Sequence, residues 1–381
     1  MWKQALSVLT VAAGASLALG QDAPSSRITP PSQYMPASGS AVAAPGRPSP
    51  YGNYQGTTMT ADGSGAAAAP VAPSAGCATC EGGCAAKGGL SGWFSGEYLL
   101  LFPSRMNVPV LLRSAAGAPL AGGSRDLGNS SGFKIDTGTW LKDGEMAIQG
   151  IAFGSFRSYV TTNVAAGVIP IVGFPLPVTG FAYQSWHQIA GGEGNTLLHV
   201  AGDGPTKVYG LAGTRYMNLE EDITLRYFAP GFGGSALDEF HTRNQFVGGQ
   251  VGAMLIHHAG KVNMELTGKI ALGVNNAQQF ILGSNNVGLG VQAFTGRSNI
   301  GYYESNYFGM IPEVNAKIGY QLTERLSANV GYMFLMSINN WRPGDQISLT
   351  SDGGVTQPRV APPIRSTYYL HGLTAGLTFR Y

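Results

Sequence analysis

The sequence predicts an all-β protein, a transmembrane up-and-down antiparallel β-barrel of about 10–12 strands, preceded by a disordered periplasmic linker. From residue 93 onward, apolar and polar residues alternate with a period of two, as strands require. Glycine is abundant, at 56 of 381 residues, and only 12% of residues are charged, a composition that suits strands joined by turns. Short and long connections also alternate along the chain, which is the pattern of outer-membrane barrels.

The first 20 residues have the features of a secretory signal peptide. Lys3 supplies the basic start, and an apolar stretch follows over 6–17 that is too short to span a bilayer. Small residues, Ala18 and Gly20, precede an expected cleavage site before Gln21. The chain is therefore expected to be exported. An exported chain without a membrane-spanning helix can be soluble or can cross lipid as a closed β-barrel. Long predicted strands, polar faces with few charges and the aromatic C-terminus favour the barrel, and with it the outer membrane of a Gram-negative-type envelope.

Residues 21–92 form a linker rich in Pro, Ala, Gly and Ser, without strand or helix periodicity. We expect it to lie in the periplasm, where it could contact periplasmic or envelope partners. At its end lie Cys77, Cys80 and Cys84, in the segment GCATCEGGC. A disulfide among them is favoured over a metal site, because no fourth ligand is evident nearby. Intermolecular pairing or free thiols remain open alternatives.

The barrel itself is predicted over 93–381. Apolar side chains such as Val330 and Leu377 share one face of each strand and are assigned to lipid, and the opposite face, with few charges, is assigned to the lumen. The chain ends on Phe379, Arg380 and Tyr381, similar to the terminal signal of outer-membrane barrels. The predicted strands are 93–102, 131–141, 145–157, 206–218, 221–229, 242–257, 261–274, 305–322, 325–337 and 365–381, with a further pair possible in 180–202.

Four short turns, at 141–145, 218–221, 258–261 and 322–325, are assigned to the periplasmic side. The long connections then lie outside the cell, at 103–130, 158–205, 230–241, 275–304 and 338–364. One apolar stretch, 164–178, contains three prolines and is therefore predicted to be a loop or a covering of the barrel mouth, not a membrane helix.

Five charged residues lie on predicted polar faces and are the pore-lining candidates: Glu265, Lys269, Lys317, Arg380 and Arg226. They are expected either to form a charged constriction that selects solutes or to form salt bridges that fill a narrow barrel. In the long 338–364 connection, Arg342 and Asp345 of the segment RPGDQ are expected to pair and fix a turn.

Several function classes are excluded or disfavoured by the sequence. A formal net charge of +2 does not indicate the strongly basic surface that nucleic-acid binding requires. The histidines are scattered and no nucleophile elbow is visible, so no catalytic residues are assigned and an enzyme is not expected. No cofactor or metal ion is predicted either.

Several short segments of the predicted barrel form a recognisable set: 93–100 (WFSGEYLL), 213–222 (GTRYMNLEED), 246–252 (FVGGQVG), 268–275 (GKIALGVN), 298–302 (SNIGY), 319–323 (GYQLT), 331–334 (GYMF), 342–346 (RPGDQ) and the C-terminal 379–381. Together, in this order, they resemble the porin-7 family of outer-membrane β-barrels. The resemblance covers about 93–381 and implies a porin-like barrel, whose partners would be outer-membrane lipid and small polar solutes. The linker and its cysteines lie outside it.

Two functions from different classes follow as hypotheses. The first is a passive outer-membrane channel for small polar solutes. The second is a non-conducting barrel that anchors the envelope or displays surface loops.

Overall fold

The computed structural model describes residues 91–381, apart from 142–143, 172–174, 231–233, 286–292, 296–298 and 351–362. The predicted signal peptide, the linker and the three cysteines lie outside the described residues. None of the helices in the described part of the chain is long and apolar enough to cross a membrane.

The described residues fold almost entirely into strands. These are β1 (Ser91–Pro103), β2 (Met106–Arg113), β3 (Pro119–Arg125), β4 (Ser130–Leu141), β5 (Met146–Ser155), β6 (Ser158–Val164), β7 (Gly167–Ile169), β8 (Leu176–Val178), β9 (Gly180–Ala201), β10 (Thr206–Ala229), β11 (Gly234–Ala259), β12 (Val262–Asn285), β13 (Gly301–Gln321), β14 (Leu326–Asn340) and β15 (Ser366–Arg380). A short 3-10 helix spans Pro343–Gln346.

Ten strands close into an antiparallel barrel, in the order β1, β4, β5, β9, β10, β11, β12, β13, β14 and β15. The ring closes because the last strand pairs with the first, with Phe379 opposite Phe94. The two chain ends of the barrel and the connections β4–β5, β9–β10, β11–β12 and β13–β14 lie at one end, which we call the turn end, and the other connections lie at the opposite, loop end. The predicted long connection 230–241 is wrong, because β11 begins at Gly234. Gly260 and Gly204, in two of the short turns, have positive φ values of 61° and 83°, which glycine adopts without strain.

The barrel is taller on one side. Strands β9–β13 contain 21 to 26 residues each, whereas the remaining barrel strands contain 10 to 15. Since a tilted strand crosses the hydrocarbon core with about 9–11 residues, β9–β13 continue well beyond the lipid at the loop end. We call these five strands the tall wall.

The predicted turn at 218–221 is wrong. Residues 206–218 and 221–229, predicted as two strands, are one strand, β10, and the uncertain segment 180–202 is also one strand, β9. The two errors compensate, so the barrel keeps ten strands. The polar residues Asn218 and Glu220 look like a turn in the sequence, but they mark the height at which the outer face of β10 passes from lipid to water.

The predicted division into two faces is confirmed. Val330, Ile318 and Leu373 are more than half exposed on the outer surface of adjacent strands. Their neighbours along each strand point into the barrel, as Asn329 does. Exposed apolar side chains such as Val251, Leu266 and Tyr98 continue this surface on β11, β12 and β1. We assign it to the lipid tails and call it the apolar belt.

A second sheet, with the strand order β3-β2-β7-β8, lies at the loop end. Its apolar side chains, among them Leu112 and Leu176, pack with Leu225 and Phe240 from the inner face of the tall wall in one buried cluster. The predicted covering segment 164–178 contributes β7 and β8 to this sheet, in agreement with its expected place at the barrel mouth. We call this sheet the cap sheet.

Candidate functional site: the barrel interior

Two carboxylates and two cations form a buried ionic quartet inside the barrel. Lys269 Nζ lies 2.7 Å from Glu193 Oε2 and 3.0 Å from Glu313 Oε1. Arg215 contacts the same two carboxylates, at 2.5 Å from Glu193 and in direct contact with Glu313. All four side chains are at most 6% exposed. The four charges cancel, and each ion is bound to two of opposite sign.

A second ionic group lies beside the quartet and centres on Glu97. Lys317 Nζ approaches Glu97 Oε1 at 2.5 Å, and Lys134 Nζ lies 3.8 Å from the other oxygen. Glu265 is opposite Lys317 in the β12–β13 register, and both face the interior. Asp136 accepts hydrogen bonds from Trp93 and Gln149 at the same level. We call the quartet and this group the charged layer.

Three of the five predicted pore-lining residues, Glu265, Lys269 and Lys317, therefore come together in the charged layer. Arg380 has the inward orientation but is exposed at the turn end, as the last residue of β15. Whether these residues line a conducting path stays a prediction.

The prediction for Arg226 is wrong, because its side chain is exposed on the outer face of the tall wall. It shares this face with Asn218 and Glu220. The sequence argument assigned every polar face to the lumen, but this rule fails above the lipid. There the outer face meets water and becomes polar, and the inner face meets the cap sheet and becomes apolar.

The sequence argument missed six titratable residues of the charged layer: Glu97, Lys134, Asp136, Glu193, Arg215 and Glu313. Glu313 could have been found, since it continues the polar face of Lys317 in steps of two. Arg215 could not, because its inward neighbours along β10, Leu211 and Met217, are apolar. The interior of this barrel is layered along its axis, so polarity changes along a single inward-facing stripe.

Buried apolar side chains from the inner faces of the barrel strands meet in one cluster on the loop side of the charged layer. Every barrel strand except β4 contributes to it, and none of its side chains is more than 5% exposed. Its members are Leu99, Leu101, Phe153, Ile189, Met217, Leu219, Phe246, Ala271, Ile311, Met333, Leu335, Tyr368 and Leu370. Because these side chains belong to barrel strands, the cluster forms without any contribution from a loop. We call this the apolar layer.

On the turn side of the charged layer, a smaller apolar cluster narrows the barrel. Leu197, Tyr209 and Met254 are buried in it, and Trp93 and Trp140 pack against it. The two indole rings lie 5.5 Å apart, centroid to centroid. The charged layer is thus enclosed by apolar side chains on both sides.

The segment 341–347, which we call the plug, enters the barrel from the loop end. Arg342 donates to Glu221 from Nη2 at 2.6 Å and from Nε at 2.9 Å, and its Nη1 donates to the carbonyl of Arg105. The backbone of Trp341 exchanges two hydrogen bonds of 2.8 Å with the Asn244 amide. The plug is therefore bound to the tall wall by a fully buried ion pair.

The predicted Arg342–Asp345 pair is replaced by this contact with Glu221, which lies 121 positions away in the sequence. Asp345 instead donates its backbone N–H to the Arg342 carbonyl at 3.2 Å. Burial raises the pKa of the Asp345 carboxyl. Within the described residues, no group of three or more metal-ligating side chains comes together.

The sequence matches the family described as "Putative beta barrel porin-7" over residues 157–381, more than half of the chain. The chain belongs to this family. The match confirms the resemblance drawn from the sequence motifs, and with the closed ring of strands it makes the chain an outer-membrane β-barrel. A search of curated proteins finds no match.

Among solved structures, the porin-7 chain is similar to the outer membrane protease OmpT from Escherichia coli, at 9% identity and a TM-score of 0.48, over 77% of this chain and 97% of that one. It is also similar to the translocator domain of autotransporter NalP from Neisseria meningitidis, at 11% identity and a TM-score of 0.27, over 78% and 90%. A FadL homologue of Pseudomonas aeruginosa matches at 6% identity and a TM-score of 0.22, over 77% and 90%.

For an outer-membrane barrel, short turns face the periplasm and long loops face the outside. By this rule the turn end of the porin-7 barrel is periplasmic, and the tall wall and the cap sheet extend outside the cell.

Proposed function

We propose that this chain is a non-conducting outer-membrane barrel, which anchors the tall wall and the cap sheet outside the cell. One observation supports the proposal: buried apolar side chains from nine of the ten barrel strands meet in the apolar layer. Barrels with about eight strands are filled by their own side chains, whereas open aqueous channels are found at 16–18 strands. A ten-stranded barrel lies near the filled limit.

The chemistry of the interior supports the same conclusion. A hydrated ion that crosses the apolar layer would lose its water without gaining polar partners, which costs far more than thermal energy. In the charged layer, Lys269 and Glu193 already bind ions of opposite sign, so they offer little free charge to a passing solute. These contacts suit a packed interior better than a selectivity constriction.

The passive channel for small polar solutes is the second candidate, and the porin description of the family favours it. In that case the plug would have to leave the barrel and the apolar layer would have to repack. Glu265, Lys269 and Lys317 would then line the path. Both signs of charge on neighbouring strands predict a small and weakly selective conductance.

Planar-bilayer recording separates the two candidates. We expect the purified full-length protein to insert without producing current steps above the baseline, because the apolar layer blocks ions. A 16-stranded porin in the same bilayers serves as the positive control, and insertion is verified separately by protease protection in vesicles.

Reproducible current steps would reject the non-conducting barrel. If the joint replacement of Lys269 and Lys317 by Met then shifted the selectivity towards cations, the passive channel would take its place.

A further inference from the structure

The outer surface of the tall wall carries a row of amide side chains on four adjacent strands. Asn218, Gln245, Asn276 and Asn306 lie opposite one another in the strand registers. Asn276 Nδ2 donates to Asn306 Oδ1 at 2.9 Å, and Gln278 links Gln245 to Asn276. Gln245, Asn276 and Asn306 are therefore a connected set of hydrogen-bonding groups, whereas Asn218 is buried and bonds Glu220 and Arg243.

The height of this row is fixed by the residues beneath it. One step closer to the turn end, Val247, Val274 and Phe308 are in register, and each is more than half exposed. These three side chains form the upper edge of the apolar belt. The amide row thus begins where the lipid tails end and faces the headgroups of the outer leaflet.

Above the amides the surface becomes charged and aromatic. Glu304 accepts hydrogen bonds from Tyr302 at 2.6 Å and from Asn276 at 2.7 Å. The rings of Tyr302 and Phe280 lie 4.7 Å apart and are both well exposed. The amides are therefore flanked by the Glu304 carboxylate and by the rings of Tyr302 and Phe280.

Two cations near the amide row, Arg243 and Arg157, are already engaged. Arg243 Nε lies 3.1 Å from the Asn218 amide oxygen and 3.3 Å from Glu220. The Arg157 guanidinium stacks 4.1 Å above the Trp186 ring and donates to Gln188. These two cations therefore offer little to a bare phosphate, while the amides and carboxylates beside them can donate to and accept from hydroxyl groups.

We propose that this surface, on β10–β13 just above the apolar belt, binds the sugar headgroup of an outer-leaflet glycolipid. Amides and the Glu304 carboxylate would hydrogen-bond the sugar hydroxyls, and the faces of Tyr302 and Phe280 would contact the ring carbons. A lipid is the expected ligand because this surface directly continues the apolar belt. A lipid whose tails cover Val247 and Phe308 places its headgroup beside the amide row. The inference is independent of whether the barrel conducts.

The test is lipid retention by the full-length protein, reconstituted in vesicles of equal parts digalactosyl diacylglycerol, phosphatidylcholine and phosphatidylglycerol. After mild extraction, the bound lipids are counted by native mass spectrometry. We expect the galactolipid to be enriched about fivefold over phosphatidylcholine, the effect of about one net hydrogen bond. The enrichment should fall towards unity in Tyr302→Ala and in Asn306→Ala.

Tyr320→Ala is the matched control, because Tyr320 lies on the outer face of the same strand with a similar exposure but at the turn end. It should retain the enrichment, and a heat-dependent gel shift verifies that each variant is folded. Equal retention of all three lipids, a preference for phosphatidylglycerol, or unchanged enrichment in folded Tyr302→Ala and Asn306→Ala would overturn the proposal.

Discussion

Replacement of Arg215 by methionine is expected to lower the free energy of unfolding by about 3–5 kcal/mol, because it leaves buried carboxylates without a partner. Arg215 lies between Glu193 and Glu313 and is itself inaccessible to solvent. Without it, a single cation, Lys269, would have to balance both carboxylates inside the apolar surroundings. The change is measured by guanidinium unfolding of the protein in lipid vesicles.

Arg380→Met is the control for this substitution, since Arg380 is exposed at the turn end and should change stability by no more than about 0.5 kcal/mol. Adding Glu313→Gln to Arg215→Met restores the charge balance and should recover part of the loss. An Arg215→Met protein as stable as the Arg380→Met protein would show that the ionic quartet does not stabilise the barrel.

Replacement of Val330 by arginine is expected to lower the free energy of unfolding by about 2–4 kcal/mol if the site lies near the bilayer midplane. Val330 is 61% exposed in the middle of the apolar belt, where its neighbours on both adjacent strands are Ile318 and Ala375. A guanidinium there must lose its hydration in hydrocarbon or distort the bilayer. The same vesicle unfolding assay measures it.

An arginine on the same face but nearer the membrane surface is the internal control. Leu326 is on the same face of β14 but at its turn end, where an arginine reaches the interface and should cost about 0–1 kcal/mol. Equal losses for Val330→Arg and Leu326→Arg would contradict the assignment of this face to lipid.

The sequence predicted the strands best where one face meets lipid along its whole length. Strands β14 and β15 end soon after they cross the apolar belt. Their outer side chains therefore meet only lipid, and apolar and polar residues alternate clearly along the sequence. In β10, by contrast, the outer face passes from Tyr216 in the belt to Asn218 and Glu220 above it. A local pattern does not reveal this change of solvent, so a continuous strand was divided by a false turn.

The interior was predictable only in part, for a related reason. Lys269 and Lys317 are found by alternation because they continue polar stripes. Glu193, the partner of Lys269, and Arg215, which binds the same carboxylate, lie on inward stripes that also contain several apolar residues. The contact between Arg342 and Glu221 joins a loop to a distant strand. No spacing rule predicts it, because it depends on how the closed barrel brings the two together.

Thiol labelling inside the barrel tests most directly whether the apolar layer closes the lumen. With the three native cysteines replaced by Ser, Ala271→Cys places a small thiol in the apolar layer, and Ala201→Cys places one at the exposed turn end. Reconstituted vesicles are treated with a charged, membrane-impermeant methanethiosulfonate. A closed barrel predicts rapid labelling at position 201 and none at position 271, whereas labelling of both at similar rates would contradict it.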